Sequence, residues 1–171
     1  MLKFIGAFFI LGATTFIGFE IARRLSERPK QLQLFAASLE TLEAEIMYGH
    51  TPLGEACIKI SKQLSKPISD HYARFADLLN EEDITVIQAW EAALKETWKR
   101  TALKQNEFEI LQQFGVNLGK HDRESQQKQI VLTLNHLERV EKEAHEKQKM
   151  YEKMARSLGV LSGLLIVILL I

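Results

Sequence analysis

The chain is poor in cysteine, has no net charge and is short, and each of these properties excludes certain classes of protein. Its 171 residues include one cysteine, Cys57, which excludes a cysteine-rich metal site. A lone cysteine also fits a reducing compartment. The chain has no net charge, because 22 basic residues balance 22 acidic ones, and this excludes attachment to nucleic acid by bulk charge. The length leaves no room for a second core of similar size.

Charge is missing from both ends of the chain. No acidic residue precedes Glu20, and no charged residue follows Arg156. Each end is an apolar run somewhat shorter than the roughly 20 helical residues that cross a bilayer, but basic residues beside it can reach the lipid head groups. We therefore expect an N-terminal transmembrane helix over residues 2–22 and a C-terminal one over residues 155–171.

Each end has one alternative interpretation. The first run could be a cleaved secretory signal, although it is long for one and is followed directly by Arg23 and Arg24. The second could be a helix that caps a soluble core, although it is apolar on every face. Basic residues are concentrated on the inner flanks of both runs. The middle of the chain is therefore predicted to face the cytoplasm, with both termini outside.

Small residues recur at four-residue spacing in both predicted spans. Gly18 belongs to the first stripe, and Gly159 and Gly163 belong to the second. Such stripes let helix backbones approach closely in lipid, so we expect the spans to pack as a hairpin through these glycines. The alternative is that glycine and alanine are simply common in transmembrane helices.

The middle of the chain, residues 28–153, repeats apolar residues at three- and four-residue steps, as amphipathic helices do. No stretch alternates convincingly between apolar and polar residues, as a half-buried strand would. Short connections between the helical segments favour antiparallel neighbours. The predicted fold class is all-α, an antiparallel helical bundle of about six helices flanked by N- and C-terminal transmembrane helices.

Several residues predict where these helices begin and end. Pro29 suits a first turn and would mark the break from the membrane segment, and Thr51 would cap a helix that starts at Pro52. Asp83 is a further predicted cap, and Gly115 is predicted to end a helix.

The last predicted helix begins at a cap near Asp122 and meets no proline or glycine before Gly159. Its apolar stripe ends at Val140, and the densely charged residues 141–149 follow. Such a stretch is typical of a stalk or of a partner-facing helix. The stalk is favoured because it leads directly to the membrane.

No motif in the sequence has the spacing of a catalytic, nucleotide or metal site. There is no glycine-rich phosphate loop, and the five histidines are scattered without the spacing of a zinc helix. Cys57 falls on an apolar face, which favours a buried, inert thiol over a nucleophile. We therefore expect no catalytic residue, no cofactor and no metal.

Two clusters, at residues 43–53 and 114–128, are richer in hydrogen-bonding groups than their turns require. We interpret them as a docking surface for a partner, because these polar residues lie at helix junctions and are not needed for the apolar stripes. The candidate docking residues are Glu43, Glu45, His121, Asp122, Arg123 and Gln127.

These clusters, with Glu27-Arg28-Pro29 near the start and Glu152-Lys153-Met154 near the end, resemble the stage III sporulation protein AB family over essentially the whole chain. The resemblance implies a mother-cell membrane protein of the channel that links mother cell and forespore. It also implies a helical domain similar to the platform (F) proteins of type II secretion and type IV pilus systems. Those proteins typically hold two copies of the domain and three spans, which suggests that two or more of the present subunits assemble as a homo-oligomer.

The resemblance also implies partners: a cytoplasmic secretion-type ATPase (stage III sporulation protein AA-like), other membrane proteins of the channel, and the lipid bilayer. The expected function is a non-enzymatic membrane adaptor that docks this ATPase and couples it to the channel. The alternative is a purely structural membrane protein that clusters channel components without ATPase contact. A hydrolytic enzyme is least favoured, because it would need a constellation that the sequence does not show.

Overall fold

The computed structural model describes residues 2–49, 51–81, 83–119 and 123–170, with the backbone alone for 2–5, 7, 8, 123 and 170. This part of the chain contains six α-helices and no strand, so the predicted all-α class and helix number are confirmed. In chain order the elements are α1 (Leu2–Ala44), a π-helical turn (Glu45–Gly49), α2 (Leu53–Gln63), α3 (Ile68–Leu78), α4 (Val86–Trp98), α5 (Gln105–Asn117) and α6 (Arg123–Leu170).

The chain divides into two compact units. Unit 1 comprises Met1–Pro29 and Lys142–Ile171, and unit 2 comprises Lys30–Glu141. The predicted soluble domain, residues 28–153, extends beyond unit 2 at both ends. Over the described ranges, no helix combines the length and the apolar character needed to cross a bilayer. The two transmembrane helices therefore stay a prediction.

Pro29 lies inside α1, so the prediction that it breaks the chain there was wrong. An interior proline removes one backbone hydrogen bond and strains the preceding turn. The helix continues nonetheless. Beyond the proline, Leu32, Phe35 and Leu39 are buried, and packing of an apolar face contributes more to a helix in a folded protein than one backbone bond does.

Two predicted helix caps are also corrected. The cap of α2 is Pro52 rather than Thr51, whose hydroxyl instead donates a hydrogen bond to the Glu45 carboxylate. The cap of α4 is Thr85 rather than Asp83, because Thr85 Oγ1 accepts from the backbone N–H of Gln88 at 3.3 Å and the Gln88 side chain accepts from the Thr85 N–H at 3.0 Å. This reciprocal pair is a capping box. Its sequence pattern, a Thr followed by a Gln three residues later, is present at Thr85 and Gln88. The cap near Asp122 lies outside the described residues.

Gly115 does not end α5, which continues to Asn117. The glycine instead makes room for Trp90 of α4, because a Cβ at this position would lie only 2.7 Å from Trp90 Cγ. Trp90 is fully buried, and its indole Nε1 donates to the Leu111 carbonyl oxygen at 2.8 Å. A buried indole N–H needs such a partner, and the bond fixes α4 against α5.

The core of unit 2 is a cluster of aromatic rings around Trp90. The ring centroid of Trp90 lies 4.5 Å from that of His71, 5.1 Å from that of Phe75 and 5.2 Å from that of Phe114, all edge to face. Consecutive helices from α2 to α5 pack against one another around this cluster. The predicted stripe of α6 joins the core through Ile130, Leu137 and Val140, which are buried.

His71 is the one imidazole of unit 2 that the structure places inside this aromatic core. It is completely buried, and neither ring nitrogen has a hydrogen-bond partner among the described atoms. Burial lowers the pKa of His71 to about 4, and an interaction with the Ala93 backbone that is too poorly aligned to count as a hydrogen bond offsets this lowering only in part. The side chain is therefore neutral near pH 7.

We predict that His71 makes unit 2 less stable in acid. Between the ordinary pKa of 6.5 and the folded value of about 4, the unfolded chain binds a proton that the folded chain does not. The free energy of unfolding should therefore fall by on the order of 3 kcal/mol as the pH drops through this window. Denaturant unfolding of the wild type and of His71→Phe, measured from pH 7.5 to 4, checks this.

The His71→Phe variant should lose distinctly less stability over this range, and His136→Gln, which changes an exposed histidine of the same unit, should follow the wild type. Equal pH slopes in the wild type and His71→Phe would contradict the prediction.

Candidate docking site

The π-helical turn at Glu45–Gly49 organises the first of the two polar clusters. Single π-helical turns are rare, and they often lie at functional sites. A Cβ at Gly49 would lie 2.9 Å from Glu45 Oε2 and 2.9 Å from Thr51 Oγ1. The glycine therefore leaves space for the polar contact between these two side chains.

Glu45 connects this turn to α2. Its Oε2 accepts a hydrogen bond from Thr51 Oγ1 at 2.5 Å and forms an ion pair with Lys59 Nζ at 3.1 Å. The hydrogen bond from Thr51 and then the one from Lys59 hold the pKa of the Glu45 carboxyl below its ordinary value. Because both oxygens of the carboxylate are engaged within unit 2, this geometry gives Glu45 a role in holding the turn.

Two candidate docking residues meet across 84 positions of sequence. Gln127 Nε2 of α6 donates to Glu43 Oε1 of α1 at 2.8 Å. This contact joins the end of α1 to the first turns of α6. The sequence placed the two residues in different clusters, and only the folded chain brings them together.

Beside this contact lies an open cleft of about 620 Å³, which we call the docking cleft. It contains two exposed apolar side chains, Val131 (42 % exposed) and Leu132 (52 % exposed). Apolar groups surrounded by hydrogen-bonding ones are typical of the centre of a protein interface. The residues that line the cleft are Met47, Glu124, Gln127, Lys128, Val131 and Leu132.

Sequence reasoning did not select Val131, Leu132 or Lys59 for this site. Val131 and Leu132 follow Ile130, a buried member of the α6 stripe, and three consecutive apolar residues on a helix cannot all face the same core. The run of three apolar residues at 130–132 was therefore the sequence feature that could have indicated an exposed apolar patch. Nothing in the sequence indicated that Lys59 reaches Glu45.

His121 and Asp122 lie outside the described residues, and Arg123 is described only as the first backbone position of α6.

The three candidate packing glycines lie in unit 1. A Cβ at Gly18 would lie 2.9 Å from the Cα of Gly159, so the two backbones are nearly in contact there. A side chain at Gly163 would meet Thr14 and Leu11. The structure thus brings the predicted small residues together, while their packing within a membrane stays a prediction.

Two further observations concern reactive chemistry. Within the described part of the chain, no group of three or more His, Cys, Asp or Glu side chains is arranged to hold a metal ion. Cys57 is buried, and desolvation raises the pKa of its thiol to about 12. A thiol with this pKa is a poor nucleophile near neutral pH.

We predict that loss of either contact raises the pKa of Glu45. Thr51→Val removes the hydrogen bond that stabilises the carboxylate most, and Lys59→Met removes the second, so the first variant should show the larger rise. NMR titration of the Glu45 side-chain carboxyl carbon checks this. Lys62→Met, a matched change on the same helix, should leave the pKa unchanged, and a shift as large as that of Lys59→Met would refute the assignment.

Comparisons with known proteins agree on one family. The family model described as stage III sporulation protein AB matches residues 3–171. Stage III sporulation protein AB of Bacillus subtilis (strain 168) is 51 % identical over 170 residues, which cover 99 % of each chain. A solved structure of a stage III sporulation protein AB has 48 % identity and a TM-score of 0.70, and the match covers 72 % of this chain and 98 % of that one. The resemblance stated from the sequence is therefore confirmed, and the chain belongs to the stage III sporulation protein AB family.

Proposed function

We propose that this chain is a membrane-anchored, non-enzymatic adaptor of a sporulation channel, and that it docks a cytoplasmic secretion-type ATPase through the docking cleft. Family membership supports the sporulation role. The observation that carries the docking proposal is the pair of exposed apolar side chains, Val131 and Leu132, beside the Glu43–Gln127 contact.

This arrangement supports partner binding on energetic grounds. Fully burying a Val or Leu side chain is favourable by roughly 1.5–3 kcal/mol, so leaving both in water forgoes stabilisation that a partner would recover. The hydrogen-bonded frame around them is already formed. Because these hydrogen bonds are in place before binding, less conformational entropy is lost on association.

Membrane anchoring is supported by the apolar surface of unit 1. Large apolar side chains there are widely exposed, including Phe16 (73 %), Ile168 (67 %) and Leu169 (78 %). Exposed apolar groups on a helix are stable in lipid rather than in water. Basic residues flank both runs on the inner side, which favours a cytoplasmic unit 2 with both termini outside. In a spore-forming cell the cytoplasm in question would be that of the mother cell.

We predict that a charge in the docking cleft weakens ATPase binding. Val131→Asp places an unpaired carboxylate where the partner would bury an apolar group, and the affinity should fall at least tenfold. Pull-down and titration of the purified AA-like sporulation ATPase against the full chain in detergent check this. Ile58→Asp is the matched control, because Ile58 is equally exposed, at 42 %, on α2.

The two non-enzymatic functions give different results here. If the wild-type chain does not bind the ATPase, the structural clustering function replaces the adaptor. If Val131→Asp and Ile58→Asp bind as the wild type does, the ATPase docks elsewhere.

We predict that the chain resists extraction from membranes by alkaline carbonate and that its two ends lie outside. Lys3→Cys should react with a membrane-impermeant maleimide on intact protoplasts, whereas Lys62→Cys should react only after lysis. The wild type is the unlabelled background, because burial of Cys57 keeps its thiol unreactive. Release by carbonate, or labelling of Lys62→Cys on intact protoplasts, would contradict the anchor or its orientation.

A further inference from the structure

A second groove in unit 2, of about 500 Å³, lies between α5 and α6. We call it the α5–α6 groove. Side chains of Asn106, Glu109 and Gln113 line it from α5. Its α6 side carries Leu132, His136 and Arg139, three residues at helical spacings of four and three that share one face of the helix.

Arg139 differs from the other arginines of the chain. Among the arginines whose side chains the structure describes, it alone has no hydrogen bond, ion pair or ring contact. Arg74 and Arg100 of the same unit pair with Glu96 at 2.9 Å and with Asp70 at 2.6 Å. The five N–H donors of the Arg139 guanidinium, whose planar fork fits a carboxylate, are thus unused.

The other lining residues indicate which groups a ligand would carry beside a carboxylate bound to Arg139. Leu132 is an exposed apolar side chain on the same helix. It lies seven residues before Arg139, or about 10 Å along the helix axis. Glu109 is the one acidic side chain in the lining, and it accepts a hydrogen bond from Gln105 at 3.2 Å rather than pairing with Arg139. The groove therefore has a cationic end at Arg139 and an anionic position at Glu109.

We propose that the α5–α6 groove binds an amphipathic helix of a partner protein, which places a carboxylate on Arg139 and an apolar side chain on Leu132. A groove between two helices accommodates a third helix through anchors at helical spacing. Charge complementarity fixes the acidic character of the occupant, because Arg139 is the only strong cation in the lining and has no acidic partner among the residues that the structure describes. This surface does not include the Glu43–Gln127 contact, but it shares Leu132 with the docking cleft. It adds a second partner site to the proposed adaptor, and the two partners would compete for Leu132.

The test uses the full chain in nanodiscs and two fluorescent helical peptides of about 16 residues. Both peptides carry the same leucine stripe; one has glutamates flanking it and the other has lysines. The acidic peptide should bind at least tenfold more tightly than the basic one, as measured by fluorescence anisotropy, and its affinity should fall with added salt.

Variants separate this site from general charge effects. Arg139→Gln should weaken the acidic peptide about tenfold, and Glu109→Gln should strengthen it by removing a like charge. Arg74→Gln, the same chemical change at an ion-paired position of unit 2, should leave the affinity unchanged. Val131→Asp should also leave most of it, because Val131 does not line the groove.

The proposal is overturned if the acidic peptide binds no better than the basic one, or if Arg139→Gln and Arg74→Gln bind it equally. Thermal melts of all variants verify that they are folded. Failure of ATPase docking at Val131 would leave these peptide results unchanged, so the two proposals fail separately.

Discussion

The contact between Trp90 and Gly115 is the constraint on which unit 2 depends. A side chain on Gly115 would occupy the space of the indole ring. The indole N–H donates to the carbonyl oxygen of Leu111, which lies one turn before Gly115 on α5. The ring also contacts His71, Phe75 and other aromatic residues of the core. One residue of α4 thereby positions α3 and α5, and α5 forms one side of the groove that contains Arg139.

At the polar end of unit 2, hydrogen bonds and ion pairs replace the aromatic contacts of the core. Around the π-helical turn, carboxylates rather than rings fix the geometry: Glu45 bonds Thr51 and Lys59, and Glu43 bonds Gln127. These contacts are partly exposed, where each ion pair contributes little to stability. Beside the Glu43–Gln127 contact, the apolar side chains of Val131 and Leu132 are exposed to solvent. Of the candidate docking residues, Glu43, Glu45 and Gln127 form this hydrogen-bonded frame, and in the proposed docking surface Val131 and Leu132 would supply the contact area.

Much of the fold was predictable because helical periodicity is a local signal. The three- and four-residue repeat of apolar residues over 28–153 predicted amphipathic helices, and members of that repeat such as Leu39 and Leu137 are buried. Helix boundaries were less predictable. Pro29 was expected to start a helix and lies within one, because packing on distant helices outweighed its local cost. Gly115 was expected to stop a helix, and its role became visible only with Trp90 beside it.

The sequence by itself determined the all-α class, the family and the two polar clusters, since each is written in residue types and spacings along one chain. The tertiary structure decided which groups meet: Gln127 pairs with Glu43 and Lys59 with Glu45, whereas Arg139 has no partner among the described side chains. The physical reason is that an ion pair or a hydrogen bond depends on distances of about 3 Å. Such distances between residues far apart in sequence are fixed only when the helices pack.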